Sequence, residues 1–194
     1  HYTTIDEKTF IEITSMPSYP NDEGSVVLLN DSGLVVDRFN YSVDYQHIII
    51  KNPEGISLER LDYERPSNDE TNWHSAAESV GFATPGLENS QFKTSSDFSK
   101  DIVLEPQTFS PDNDGFNDVL NINYAFDAPG NVANIEIMDT DGRPIKILSQ
   151  NELLAISGTI SWDGSSDNNL KARAGMYIVH FEIFNEKGEN QRFK

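Results

Sequence analysis

The ten residues Phe109-Ser110-Pro111-Asp112-Asn113-Asp114-Gly115-Phe116-Asn117-Asp118 gather three carboxylates, two amides and a glycine into one short stretch ahead of a strand-like run. Carboxylate and carbonyl oxygens at alternate positions of a tight loop are what a hard cation such as Ca2+ requires. With Ser110 as the first position of a twelve-residue calcium loop, Asp112 falls third, Asp114 fifth, Gly115 sixth, the Phe116 carbonyl seventh, Asp118 ninth and Asn121 twelfth. The interior spacing fits, while the ends depart from the pattern, lacking an Asp at the start and a bidentate Glu at the close. The expectation is a weak Ca2+ site formed by Asp112, Asp114, Asp118 and the Phe116 carbonyl. The competing account is a solvated turn in which Asp112 and Asn113 bond neighbouring backbone N–H groups and Gly115 takes a positive φ.

Other chemistry is sparse. His1, His47, His74 and His180 are scattered without metal-ligand spacing, and His180 falls out of phase with Val179 and Phe181 on a strand, where it faces solvent. No Gly-x-Ser-x-Gly elbow, phosphate loop or His-Glu-x-x-His is found. Carboxylate pairs are so numerous that they carry no information on glycoside chemistry. Trp73, in a polar connection, is the better candidate for an exposed binding platform, although packing is the favoured account of it. Trp162, closing an apolar strand, reads as core. Asp163, Asp167, Asn168 and Asn169 make a second acidic turn without cation spacing.

Composition narrows the partners. Fourteen Lys plus Arg stand against thirty-two Asp plus Glu in 194 residues, a net charge of −18. That excess repels phosphate backbones and anionic lipid, so nucleic acid is excluded as a partner. No apolar run reaches the roughly 20 residues of a membrane helix, so membrane insertion is excluded too. The absence of cysteine removes disulfides, thiolate catalysis and zinc–thiolate sites. His1-Tyr2-Thr3-Thr4-Ile5-Asp6 is no signal peptide, and the chain reads as part of a larger exported protein.

The elements that must position these residues are strands. Short β-branched and aromatic runs alternate with Gly, Pro, Asn and Asp, and no helical period is sustained. The class is all-β. Ser25–Leu29 and Leu34–Tyr41 flank Asn30-Asp31-Ser32-Gly33 as a hairpin; His47–Ile50 and Ile56–Leu61 flank Asn52-Pro53-Glu54-Gly55 as another. Tyr63–Ala77 reads as a long connection, with one helical turn in Ala76–Val80. The polar stretch 91–100 is the expected linker between domains at 1–90 and 101–194. Five basic against sixteen acidic residues lie up to Ser90, and nine against sixteen beyond it. In the second half Leu120, Ile122, Tyr124 and Phe126 alternate with polar residues. Ile135 and Ile137 lead to Asp141-Gly142, a type I′ signal, and Gly158–Trp162 and Tyr177–Ile183 follow. About seven strands in this length suits an immunoglobulin-like sandwich, and the whole reads as two such sandwiches in tandem.

Two family resemblances rest on particular residues. Gly24–Leu29, Gly33–Tyr41, Ser57-Leu58-Glu59-Arg60, Asn72-Trp73-His74-Ser75-Ala76 and Thr84-Pro85-Gly86 ahead of Asn89-Ser90 resemble a lamin tail domain whose opening strands have no counterpart before Thr9. Phe109–Asp118, Asp141-Gly142-Arg143, Gly158–Gly164 and Ala174-Gly175-Met176-Tyr177 resemble the immunoglobulin-like modules of flagellar hook-capping proteins and the gliding motility-associated C-terminal domains of exported bacterial proteins. The second resemblance implies a module read by the type IX secretion machinery. Together they imply a non-catalytic pair of sorting, display or adhesion modules of a secreted or surface protein, whose partner is a protein. The rival is the binding portion of a secreted nuclease or glycosidase whose catalytic domain lies outside the chain; a weaker one is carbohydrate binding by the first sandwich.

Overall fold

A computed structural model describes residues 13–92 and 101–194. The chain divides into two compact units, His1–Ser95 and Ser96–Lys194; among the described residues the regular structure of the first is β with short 3-10 turns and that of the second is β. From 93 onward the expected linker lies outside the described residues, as do the residues before 13. Gln91 is fully buried and Phe92 stacks on Tyr63 with ring centroids 4.4 Å apart, so the first unit runs past the boundary expected at 90.

Among the described residues the first unit holds two two-stranded antiparallel sheets. In one, β1 (Glu23–Leu29) pairs with β2 (Val35–Ser42). Their turn is set by Asn30, whose side-chain oxygen accepts from the Ser32 and Leu34 N–H groups at 3.0 and 2.8 Å, with Gly33 at φ +75°. In the other, β3 (Leu58–Arg60) pairs with β4 (Trp73–Ser75), not with the segment expected to be its hairpin partner. His47–Ile50 is a turn closed by Ile50 N–H to His47 C=O at 2.9 Å. The reason is local bonding: the His47 N–H is bound by Ser75 Oγ at 2.7 Å and the Ile49 N–H by His47 Nδ1 at 3.2 Å. These contacts override the β propensity of three isoleucines.

Polar groups organise this unit's interior. Among the described residues its buried apolar side chains are three alanines, Ala76, Ala77 and Ala83. Glu59 is buried and its carboxylate accepts from the Ser90 N–H at 2.7 Å, the Ser90 hydroxyl at 2.6 Å and the Thr84 hydroxyl. Ser90 Oγ in turn accepts from the Ala77 N–H at 2.9 Å. Such satisfaction is what a buried carboxylate requires.

In the second unit seven described strands form two sheets. One has the order β11 (Asn190–Phe193), β10 (Tyr177–Phe184), β7 (Val132–Asp139), β8 (Pro144–Leu153); the other has β5 (Asp101–Glu105), β6 (Leu120–Ala125), β9 (Ser157–Trp162). Leu120, Ile122 and Tyr124 of one sheet and Ala133, Ile135, Ile137, Val179, Phe181 and Ile183 of the other share a single buried cluster with Trp162. That cluster makes the unit a sandwich. Fully burying side chains such as Ile135 or Phe181 is worth about 1.5–3 kcal/mol each. The outward positions of β6 and β9 carry polar rungs, Ser161 Oγ to Asn121 Oδ1 and Thr159 Oγ1 to Asn123 Oδ1, both at 2.7 Å. His180, out of phase with Val179 and Phe181, is half-buried opposite Glu136.

The Asp139–Arg143 turn departs from type I′. Asp139 N–H donates to Arg143 C=O and Gly142 N–H to Asp139 C=O, both at 3.0 Å, and only Gly142 has positive φ. This is a three-residue loop with glycine at the left-handed position.

Candidate functional site

The acidic loop joins β5 to β6, and its anchors come before its acids. Phe109 packs edge-on against Trp162 with centroids 5.4 Å apart, and Trp162 Nε1 donates to Ser165 C=O at 2.8 Å. Pro111 lies so close to Gly164 that a Cβ there would stand 2.7 Å from Pro111 Cγ, at a φ of +74° that already favours glycine. Lys171 Nζ donates to the Pro111 carbonyl at 2.7 Å. The loop is therefore fastened to the β9–β10 connection, the second acidic turn of the sequence. There Asp163 Oδ1 accepts from the Ser165 hydroxyl at 2.6 Å and the Ser165 N–H at 2.9 Å. These bonds, the hydroxyl foremost, hold the Asp163 carboxyl below the usual aspartate range.

From Asp112 to Asp118 the backbone alternates through left-handed residues, Asn113 at φ +63°, Gly115 at +89° and Asn117 at +53°. Asparagine and glycine tolerate that conformation best. The alternation turns N–H groups toward the acids. Asp118 accepts from Asn113 N–H at 2.6 Å and Gly115 N–H at 2.8 Å, one on each oxygen. Asp114 Oδ1 accepts from Phe116 N–H at 2.8 Å; Asp112 accepts from Asp114 N–H and the Ser110 hydroxyl, both at 3.2 Å. One oxygen each from Asp112, Asp114 and Asp118 lies within 4.8 Å of the other two. Asp112 and Asp114 are exposed and Asp118 is half-buried. The structure thus brings the three carboxylates together while also giving each a partner in the turn. Phe116 presents its ring to solvent at 73% exposure.

Trp73 lies in the other unit, on β4. One ring face is covered by Phe39 at a centroid distance of 3.7 Å and an interplanar angle of 16°, and Nε1 donates to Ser67 C=O at 2.7 Å. The half-buried ring is a packing element with its polar edge satisfied. Sequence reasoning passed over Glu59, although it lies inside one quoted motif while its partners Thr84 and Ser90 lie in two others. A lone Glu on a short strand carries no signal of burial until the closing loop folds onto it.

Comparison with known proteins bears on the second unit. Residues 103–194, just under half of the chain, match the family model described as CHU_C Type IX secretion signal domain. Among solved structures the chain is similar to FlgD from Xanthomonas campestris, a protein of the hook capping essential for flagellar assembly. The identity is 26%, over 38% of this chain and 53% of that one, with a TM-score of 0.32. The chain thus spans about half of the length of that relative. No curated protein matches the chain. The match makes the second sandwich similar to type IX secretion signal domains and indicates a secreted or cell-surface protein.

Proposed function

We propose that this chain is a non-catalytic pair of modules in which the second sandwich is read by the type IX secretion machinery and the first is displayed with it at the cell surface. The observation that carries this reading is the coincidence of the matched residues, 103–194, with the strands from β5 to β11 that close one buried core. A receptor that inspects a folded module needs such a self-contained body. The first unit is assigned as lamin tail-like on its motifs, now tied together by Glu59, Thr84 and Ser90. Its role is display or adhesion toward a protein partner. Placing an exported reporter ahead of the chain tests the sorting role: removal of residues 103–194 should strand the reporter in the periplasm, and unchanged surface delivery would refute it.

A second reading concerns the acidic loop. The mutual approach of the Asp112, Asp114 and Asp118 oxygens within 4.8 Å supports weak Ca2+ binding, completed by the Phe116 carbonyl, that would stiffen the loop in calcium-rich surroundings. Binding of millimolar Ca2+ measured by titration calorimetry on the intact chain is the direct test.

A further inference from the structure

The two ends of the second sandwich differ in what they show to solvent. At one end lie the β5–β6 loop, the Asp139–Arg143 turn and the β9–β10 connection, because Leu120 opening β6 pairs with Trp162 closing β9, and Tyr177 opening β10 pairs with Asp139 closing β7. Trp162 and Tyr177 join the two sheets there with ring centroids 5.1 Å apart. Phe116, Leu170 and Met176 project from this end at 73%, 67% and 80% exposure. At the other end, among the described residues, 126–131, 154–156 and 185–189 expose no large apolar side chain, and Phe126, Leu154 and Ile156 are buried. Apolar residues scattered singly over a surface are ordinary. These three are not scattered: they sit on two loops that Lys171 and Pro111 tie together.

The loops present them in fixed turns. The Phe116 N–H donates to Asp114 Oδ1 at 2.8 Å, the Leu170 carbonyl accepts from the Ser166 N–H at 2.8 Å, and Tyr177, beside Met176, donates its hydroxyl to the Arg173 carbonyl at 2.5 Å. Apolar side chains held in ordered turns lose less entropy on binding than those of a mobile loop.

Charge sets the chemistry of what meets them. Residues 106–119, 139–146 and 163–176 carry seven aspartates, half of the fourteen acidic residues in 103–194, against Arg143, Lys146, Lys171 and Arg173. Lys146 and Lys171 donate to the Ser166 and Pro111 carbonyls at 3.4 and 2.7 Å, and Arg143 pairs with Asp141 at 3.0 Å. Asp112, Asp114 and Asp167 are exposed and accept from neutral N–H and hydroxyl groups, with no ion pair among the described residues. A second copy would bring the same aspartates face to face. Apolar anchors within an uncompensated acidic rim complement apolar recesses in a basic surround.

We infer that this loop end is the face by which the module is read: Phe116, Leu170 and Met176 enter apolar recesses of a protein of the secretion machinery whose basic rim meets Asp112, Asp114 and Asp167. The inference rests on the sorting role proposed above and adds the surface and the chemistry of its reader.

The test uses the full chain behind an exported reporter, with the surface-to-periplasm ratio measured in strains with and without the machinery. The parent chain comes first, since delivery that ignores the machinery would remove the sorting role and this inference with it. Given machinery-dependent delivery, Phe116→Ser combined with Met176→Ser should lower the ratio about tenfold or more, while the purified variant melts within about 3 °C of the parent because both side chains are exposed. Asp112→Asn with Asp114→Asn, which keeps one acceptor oxygen at each position, should lower it severalfold. Val103→Ser, on β5 and 45% exposed, should leave it unchanged. Loop variants delivered as well as the parent, or a Val103→Ser chain retained as strongly as they are, would overturn the inference while the sorting role stands. Concentration-dependent association of the purified parent chain that Phe116→Ser abolishes would assign the end to a second copy and overturn it as well.

Discussion

At the scale of single residues the acidic loop is a contest between a cation and hydrogen bonds for the same oxygens. Each of Asp112, Asp114 and Asp118 already accepts from the loop's own N–H or hydroxyl groups, which is why binding should be weak. At Ca2+ ten times above its Kd the native state would gain about 1.4 kcal/mol, roughly a 7 °C rise in the melting temperature of the second unit. Asp114→Ala should abolish that rise, and a wild-type protein whose melting ignores Ca2+ would leave a hydrogen-bonded turn. Glu59 makes a sharper case because it is buried. Glu59→Ala strands the Ser90 N–H and two hydroxyls without an acceptor and should cost about 2–4 kcal/mol by denaturant titration; a loss under 1 kcal/mol would show that the pocket is wet.

Elements were legible where one face is apolar and the other polar. β6 and β10 follow strict alternation with buried residues at every second position, so the two-residue period sufficed. Asp141-Gly142 marked its hairpin, but not the turn type, because the bonds of Asp139 Oδ1 to the Asp141 and Arg143 N–H groups favour a longer loop. β4 was missed since three residues inside a polar connection carry no period, and His47–Ile50 was misread because propensity does not see the bonds from Ser75 and His47. The acidic loop was legible in composition. Its fastening to the β9–β10 connection was not, because Lys171 and Pro111 are 60 residues apart. Gly164 is the hinge of that fastening: Gly164→Ala should cost about 1–3 kcal/mol through strain and the clash with Pro111. The same connection predicts a pH effect. The Asp163 carboxyl is depressed below its ordinary range in the folded state, so its contribution is full above that range and fades as pH falls through the lower folded value. Asp163→Asn should therefore destabilise at neutral pH by about 0.5–1 kcal/mol and match wild type in strong acid. A difference that persists unchanged in acid would assign the loss to packing.

For the whole molecule the two units differ in what their interiors are made of. The second joins aromatic and branched residues from both sheets, whereas among described residues the first buries only alanines beside a polar network. Residues 101–194 alone should therefore unfold in one cooperative step, while residues 1–95, the whole first unit, should be soluble but loosely packed or self-associating. Cooperative unfolding of a monomeric 1–95 fragment would contradict this. The sequence motifs pointed to both halves, yet only the second carries a core that the motifs could announce, since apolar alternation is visible in sequence and a hydroxyl-lined carboxylate is not. The central claim is that the second sandwich is a signal read by the type IX machinery. It is tested most directly by fusing the full chain behind an exported reporter and measuring the surface-to-periplasm ratio in matched bacterial strains with and without that machinery. The account predicts surface reporter only in the competent strain, lost when the chain is cut at residue 102; equal surface display in both strains, or retention in the periplasm of both, would contradict it.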